Sequence, residues 1–386
     1  MTVLDTRRWL ETLVAFDTTS RHSNLHLIEH VRDALAAQGV RSQLFTSPDG
    51  QKANLLATLP ATDGRTQGGL VLAGHTDVVP VDGQAWDSDP FQLTERDGKL
   101  YARGSCDMKG FIAAALAQVP QWLAQHRAQP VHLALTYDEE VGCIGAPRML
   151  QQLQLQGQRF DGCVVGEPTS MLPVVGHKGI HVWRCQVQGK AVHSSLTPQG
   201  CNAVEYAARL IVRLRDIAEQ LQAQGPYDPF FDVPFTTLST NQIEGGIAVN
   251  TVPERCSFTY EFRNLPGLQP AAVQSQVEAY VRDELLPRMR REFAQAEVRF
   301  ESVASVPAFD AAEQAAIHTL VQALTGDRDV RKVAYATEAG LFQNAGIPTV
   351  VCGPGAIAEA HKANEYVSLD QLAACERFLG KLVQAL

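Results

Sequence analysis

Five polar clusters stand directly after short apolar runs, and their residue types suit metal-assisted hydrolysis. Gly74-His75-Thr76-Asp77 follows LVLA, Asp107 lies in RGSCDMKG (103–110), and Asp138-Glu139-Glu140 follows VHLALTY. Gly166-Glu167-Pro168-Thr169 follows DGCVV, and Glu359-Ala360-His361-Lys362 follows a CGPG loop. On a continuing strand His75 and Asp77 share a face, so Asp77 could hold one imidazole nitrogen and leave the other for a metal. Taken singly, each cluster has an ordinary reading. Asp107 suits a helix N-cap or first turn, and an acid triplet can be a solvated loop. The triplet sits badly there, because apolar residues run right up to it and VGCIG continues after it. A bound dication would remove the repulsion.

Taken together, the clusters give two histidines and at least four carboxylates at or just beyond strand ends, the edge where open α/β sheets bind ligands. His with Asp and Glu, and no Cys, suits a catalytic zinc or cobalt site. Five ligands, His75, Asp107, Glu140, Glu167 and His361, exceed what one open site needs. An Asp bridge would allow two ions about 3.5–4 Å apart. Glu139, next to a ligand, is then the natural acceptor of a water proton.

Alternating helices and strands must position these groups. Leu27, Ile28, Val31, Ala34 and Leu35 follow helical spacing, with Asn24 as N-cap and Gly39 as stop. Apolar runs at 53–59, 70–74, 131–137, 163–166 and 347–353 read as buried strands, and Ala-rich Met108 to Leu123 reads as a helix. The texture changes near residue 178: HVWRCQVQG (181–189) alternates, an amphipathic helix carries Val204 to Leu221, and two strands follow. A helical pattern from about 270 to 294, with Pro287 expected to kink or end it, precedes VRFESV (298–303). The expectation is an α/β domain with a mixed, largely parallel sheet over 1–177 plus 305–386, interrupted by a smaller β-α-β-β-α-β domain over 178–304.

Composition narrows the function. Among 386 residues, 45% are apolar and 19% charged, and 33 Lys and Arg against 42 Asp and Glu leave a net charge of −9. A chain without basic excess disfavours nucleic acid as a partner. No run approaches a membrane span, and charges interrupt the N-terminal apolar residues, so a cytoplasmic protein is expected. The eight cysteines stand singly with no CxxC pair, as reduced thiols in a core would. GxSxG and GxxxxGK[ST] are both absent, which disfavours serine hydrolases and nucleotide enzymes.

GHTDVVP (74–80), GSCDMKG (104–110), DEEVGCIGA (138–146), GEPT (166–169) and Ala360-His361-Lys362 resemble, in order along essentially the whole chain, the co-catalytic di-metal aminoacylase, desuccinylase and carboxypeptidase family, the M20-type metallohydrolases. The resemblance implies a metallopeptidase-like catalytic domain with two divalent ions, Zn2+ or Co2+, per subunit. His75 and Glu167 would hold one ion, Glu140 and His361 the other, and Asp107 would bridge them. Asp77 would orient His75, and Glu139 would be the general base behind attack by a metal-bridging hydroxide. The inserted domain would serve as dimerisation or lid domain in a homodimer. Its His193, in GKAVHSS, would steady the tetrahedral oxyanion, its own subunit's or the partner's. The family also implies a cis peptide after Asp107.

Within the family, DMKGF, GEPTS, GHKG (176–179), TEAGLFQ (337–343) and CGPGAIAEAHKANEYV (352–367) resemble the acetylornithine deacetylase branch, and the arginine-rich variant of GHKG found among desuccinylases is absent. This implies a small N-acyl amino acid as substrate, N2-acetyl-L-ornithine first. Aminoacylase, dipeptidase, acetylcitrulline deacetylase and succinyl-diaminopimelate desuccinylase are the alternatives, and a non-catalytic metal or amino-acid-derivative binding protein is the rival outside enzymes. Arg263, in EFRNLPG, could pair with a substrate α-carboxylate or be a surface charge. Glu338 could neutralise the ornithine ammonium or be a first-turn helical acid. Lys178 and Asn250 are further substrate-binding candidates.

Overall fold

The computed structural model describes residues 4–312 and 315–385. The chain divides into two compact units, one of Met1–Val175, Asp310–Arg331 and Thr337–Leu386, the other of Gly176–Phe309 and Lys332–Ala336. Short strand Lys332–Val333 pairs in parallel with Gly176–His177 inside the second unit, although the sequence reading gives 332–336 to the catalytic domain.

The first unit is built on a six-stranded mixed sheet. Its order is Arg41–Thr46, Ala53–Leu59, Val131–Thr136, Leu70–His75, Gly162–Val165 and Thr349–Val351. The last four run parallel and the first two pair antiparallel at one side. All six residues of Leu70–His75 and of Val131–Thr136 are buried. Largely apolar, fully buried runs of this kind are what a sheet covered on both faces requires. Leu72, Leu133, Val164 and Val350 join Phe111, Leu116 and Trp122 of the Gly110–Ala124 helix and Leu379 of Leu369–Gln384 in one core.

The second unit has a four-stranded antiparallel sheet in the order Thr237–Gly245, Arg255–Arg263, Ile180–Gln188, Glu297–Val306. Helix Ala203–Gln224 presents Leu210, Leu214 and Ile217, and Pro270–Tyr280 presents Val273 and Val277, to a core shared with Phe258, Tyr260 and Phe262. With the strands in chain order this is the β-α-β-β-α-β pattern.

Three local expectations change. Asn24 holds the expected N-cap position of helix Leu25–Ala36, its carbonyl accepting the Ile28 N–H, but its side chain makes no cap bond. Its carboxamide instead donates to Ala53 O and Thr76 Oγ1 and accepts the Ala53 N–H, tying the helix start to the sheet. Pro287 does not end its helical stretch: a π-turn at Val281–Leu285 interrupts the α-helix just before it, and Leu286–Glu292, with Pro287 in its first turn, continues beyond. The Ala-rich helix begins at Gly110, because Asp107 and Met108 have non-helical backbone (φ −120° and −132°).

Candidate metal centre

The site lies where the parallel strands of the first unit end. His75 is the last residue of Leu70–His75, the acid triplet follows Val131–Thr136, and Glu167 stands just past Gly162–Val165. His361 lies on the loop after Thr349–Val351. The GEPT and CGPG loops cross backbone to backbone: a Cβ on Gly353 would stand 2.0 Å from Gly166 O, so only glycine fits there. Asp107 is not a helical acid. It sits in the bent segment Ser105–Lys109, followed by a cis Asp107–Met108 peptide.

Five of the predicted residues converge into two overlapping trios. His75, Asp107 and Glu167 form one, and Asp107, Glu140 and His361 the other, the ligand atoms in each lying within 4.8 Å of one another. Asp107 turns Oδ1 to His75 Nε2 at 3.0 Å and Oδ2 to His361 Nε2 at 3.2 Å. Glu167 Oε1 is 3.7 Å from His75 Nε2, and Glu140 Oε2 is 3.0 Å from His361 Nε2. Oε1 of Glu140 and Oε1 of Glu167 are buried without a hydrogen-bond partner. Left bare, such atoms are costly, and a cation satisfies them.

The electrostatics agree. Burial pushes Glu139 and Glu167 well above the usual carboxylate range, and burial with the Asp107 charge brings Glu140 up to about 7. Hydrogen bonds to Asp107 and Glu140 raise His361 to about 11. His75 is raised against its own desolvation by its bonds to Asp107 and Asp77 and by the charge of Glu167. Asp107 is held below the usual range by His361 and His75 in spite of burial. The donor set, two imidazoles and three carboxylates in two trios around a shared Asp, fits two divalent ions.

The surroundings sort the remaining candidates. Asp77 meets His75 mainly through its main chain: Nδ1–H donates to Asp77 O at 2.9 Å, and the Asp77 carboxylate is 3.6 Å away. That carboxylate accepts Ser20 Oγ–H at 2.6 Å and the N–H groups of Glu139 (3.1 Å) and Glu140 (3.3 Å). Glu139 Oε1 accepts the Cys143 thiol at 3.5 Å. The triplet's first acid needs no dication, because Asp138 is paired with Lys52. Glu338 is 1% exposed; its Oε2 accepts Thr136 Oγ1–H at 2.8 Å, its Oε1 has no partner, and burial pushes it up to about 7.

The other candidates belong to the second unit. His193 is exposed, and its Nδ1 accepts the Ser195 N–H, which leaves the proton on Nε2. Arg263 pairs with Glu261 at 3.1 Å and donates to Ala334 O. Lys178 is buried and donates to Phe235 O at 2.6 Å, and burial lowers it to about 8. Asn250 is exposed, its carbonyl accepting the Ser194 N–H. Sequence reasoning missed Arg103, Glu365 and Gln84 beside the centre. Arg103 and Glu365 lie within the RGSCDMKG and HKANE motifs, but nothing local in the sequence shows that they meet.

Residues 71–385 match peptidase family M20/M25/M40. The chain belongs to that family. This M20 chain is 36% identical over 385 residues to an acetylornithine deacetylase of Myxococcus xanthus, covering 98% of this chain and 96% of that one. It is 33% identical to the acetylornithine deacetylase of Pasteurella multocida, over 96% and 94%. Its fold is that of an M20 family metallo-carboxypeptidase from Sulfolobus solfataricus (TM-score 0.76, 18% identity, 99% of each chain). A Staphylococcus aureus tripeptidase also matches (TM-score 0.74, 19% identity, 100% and 99% covered). The M20 chain is therefore a hydrolase of amide bonds.

Proposed function

We propose that this enzyme removes the acetyl group from N2-acetyl-L-ornithine, giving ornithine and acetate, a step of arginine biosynthesis. The observation that carries the reading is Asp107 presenting one oxygen to each of two imidazoles, with Glu139 alongside, in a chain that aligns end to end with acetylornithine deacetylases. Two zinc or cobalt ions bound by His75, Asp107, Glu167, Glu140 and His361 would polarise the acyl carbonyl and acidify water.

The chain's own residues then move the protons. Glu139, enclosed and raised in basicity by burial, takes the proton of the attacking water and returns it to the departing amine. Asp77 fixes the main chain on either side of that base and the ring of His75. His193, protonated on Nε2, is the proposed donor to the tetrahedral oxyanion. Arg263, Lys178 and Asn250 are the proposed contacts to the substrate's polar groups.

Glu338 is the acid proposed for the ornithine ammonium, on the strength of its unpartnered Oε1. Its near-complete enclosure favours a second reading, a deacylase of broader N-acyl amino acids. One experiment separates them: zinc- or cobalt-loaded protein assayed on N-acetyl-ornithine, N-acetyl-citrulline, N-acetyl-methionine and N-succinyl-diaminopimelate, with a chelated control. A wide lead for acetylornithine, lost in Glu338→Gln, supports the first reading. Equal rates on neutral substrates establish the second, and silence on all four removes both.

A homodimer is proposed from the second unit. Thr237–Gly245 is a sheet edge, and Ile243 (56% exposed), Ile247 (90%) and Val249 (105%) stand bare on or beside it. Sedimentation at micromolar concentration tests this; a monomer there overturns it. All eight cysteines are free and buried, which supports the proposed cytoplasmic setting.

A further inference from the structure

His361 is the poorly supported ligand of the centre. Its side chain is half exposed, its backbone is left-handed (φ 62°), and it lies on a loop far in sequence from the other ligands. A hydrogen-bonded network reaches that loop. Gln84 Nε2 donates to His361 O at 3.0 Å, and Gln84 Oε1 accepts from Arg103 Nη2 at 2.5 Å and from Trp86 Nε1 at 3.1 Å. Arg103 Nη1 donates to Glu365 Oε2 at 2.7 Å, and Glu365 Oε1 accepts the backbone N–H groups of Cys106 (2.9 Å) and Asp107 (3.0 Å). Arg103 and Glu365 are each 1% exposed.

A buried Arg–Glu pair is a poor device for stability, because desolvation offsets most of the attraction. Position is what this one supplies. Glu365 fixes the main chain of the shared ligand Asp107, and Arg103, through Gln84, fixes the main chain of His361. We propose that Gln84, Arg103 and Glu365 are positioning residues that set the affinity of the Asp107–Glu140–His361 ion site, with Gln84 acting on that site alone. The inference rests on the two-ion reading of the centre.

The test is zinc titration of metal-free protein in competition with a chromophoric chelator, with circular dichroism of the metal-free state as the control for folding. Wild type takes up two ions. In Gln84→Glu the acceptor for Arg103 and Trp86 survives, but the donor to His361 O is lost. The added negative charge would attract cations, so a fall in affinity reports lost position. One of the two affinities should fall about 10–100-fold with the other unchanged. Glu365→Gln keeps one acceptor oxygen for two jobs, so it gives up either the pair with Arg103 that holds Gln84 or the N–H of Asp107, and the affinity of the Asp107–Glu140–His361 site should fall in either orientation. Gln84→Glu with both sites unaltered, or with both weakened equally, overturns the proposal. Because Gln84 is only half-buried, that variant decides the matter even if Glu365→Gln does not fold. A folded wild type that binds fewer than two ions overturns the two-ion reading itself, and this proposal with it.

Discussion

The Asp77 carboxylate accepts the backbone N–H of Glu139 at 3.1 Å, so the residue whose carbonyl holds the His75 ring also anchors the loop of the proposed base. Asp77→Ala keeps the carbonyl and removes the anchor, leaving the N–H groups of Glu139 and Glu140 and the Ser20 hydroxyl without their acceptor. The variant should lose about 10–100-fold in kcat/KM, measured on acetylornithine with saturating zinc. Undiminished kcat/KM would show that the Asp77 carboxylate does not position the base.

Glu139→Gln preserves shape and removes basicity. Turnover should fall by roughly 10²–10⁴-fold while the zinc content of the purified protein is unchanged. Near-normal turnover would sink the base assignment; loss of zinc would make Glu139 a ligand.

Stripping the ions leaves orphaned oxygens on Glu140 and Glu167 among the acids of the site. Zinc restored at about 100 times its dissociation constant should stabilise the protein by about 2.7 kcal/mol per site. Thermal melts with and without chelator read this directly. A melting temperature indifferent to chelation contradicts the metal centre.

His132 gives a pH dependence away from the centre. It is fully buried between Thr58 Oγ1 and Gly68 O, each 3.0 Å from a ring nitrogen, and burial lowers it to about 4. The unfolded chain binds this proton near pH 6.5. Between pH 6.5 and 4 the unfolded state therefore carries more protons, and stability falls as pH falls through that window. Urea unfolding of metal-free protein should show about 2 kcal/mol lost through this group between pH 7 and pH 5. A His132→Gln protein should lack that increment; identical pH slopes in the two proteins would refute it.

Five of the six strands of the larger sheet and all four of the second unit's antiparallel sheet were legible because periodicity is local: a fully buried run such as Leu70–His75 and an alternating one such as Ile180–Gln188 announce different environments, whereas the mostly exposed edge strand Arg41–Thr46 and helix Gly145–Leu155 were not read. The convergence of His75, Asp107, Glu140, Glu167 and His361 was legible for a related reason, since polar groups at parallel strand ends share one edge. Illegible were contacts that depend on where separate loops cross. Nothing near Asn24 shows that its carboxamide is taken by Ala53 and Thr76, and nothing near Asp138 names Lys52. Arg103 and Glu365, 1% exposed and far apart in the chain, are invisible to any window of sequence. Asp107 itself misleads, because an acid ahead of an Ala-rich helix looks like a cap until its backbone is seen.

The two trios differ in when a growing chain can complete them. His75, Asp107 and Glu167 all belong to the first continuous stretch of the first unit, so synthesis supplies that trio before residues 176–309 have been made. The trio of Asp107, Glu140 and His361 must wait for the return segment after the second unit. An ion captured early would leave the shared Asp107 already committed on one side, and the second would act as a clasp between chain made before the second unit and chain made after it.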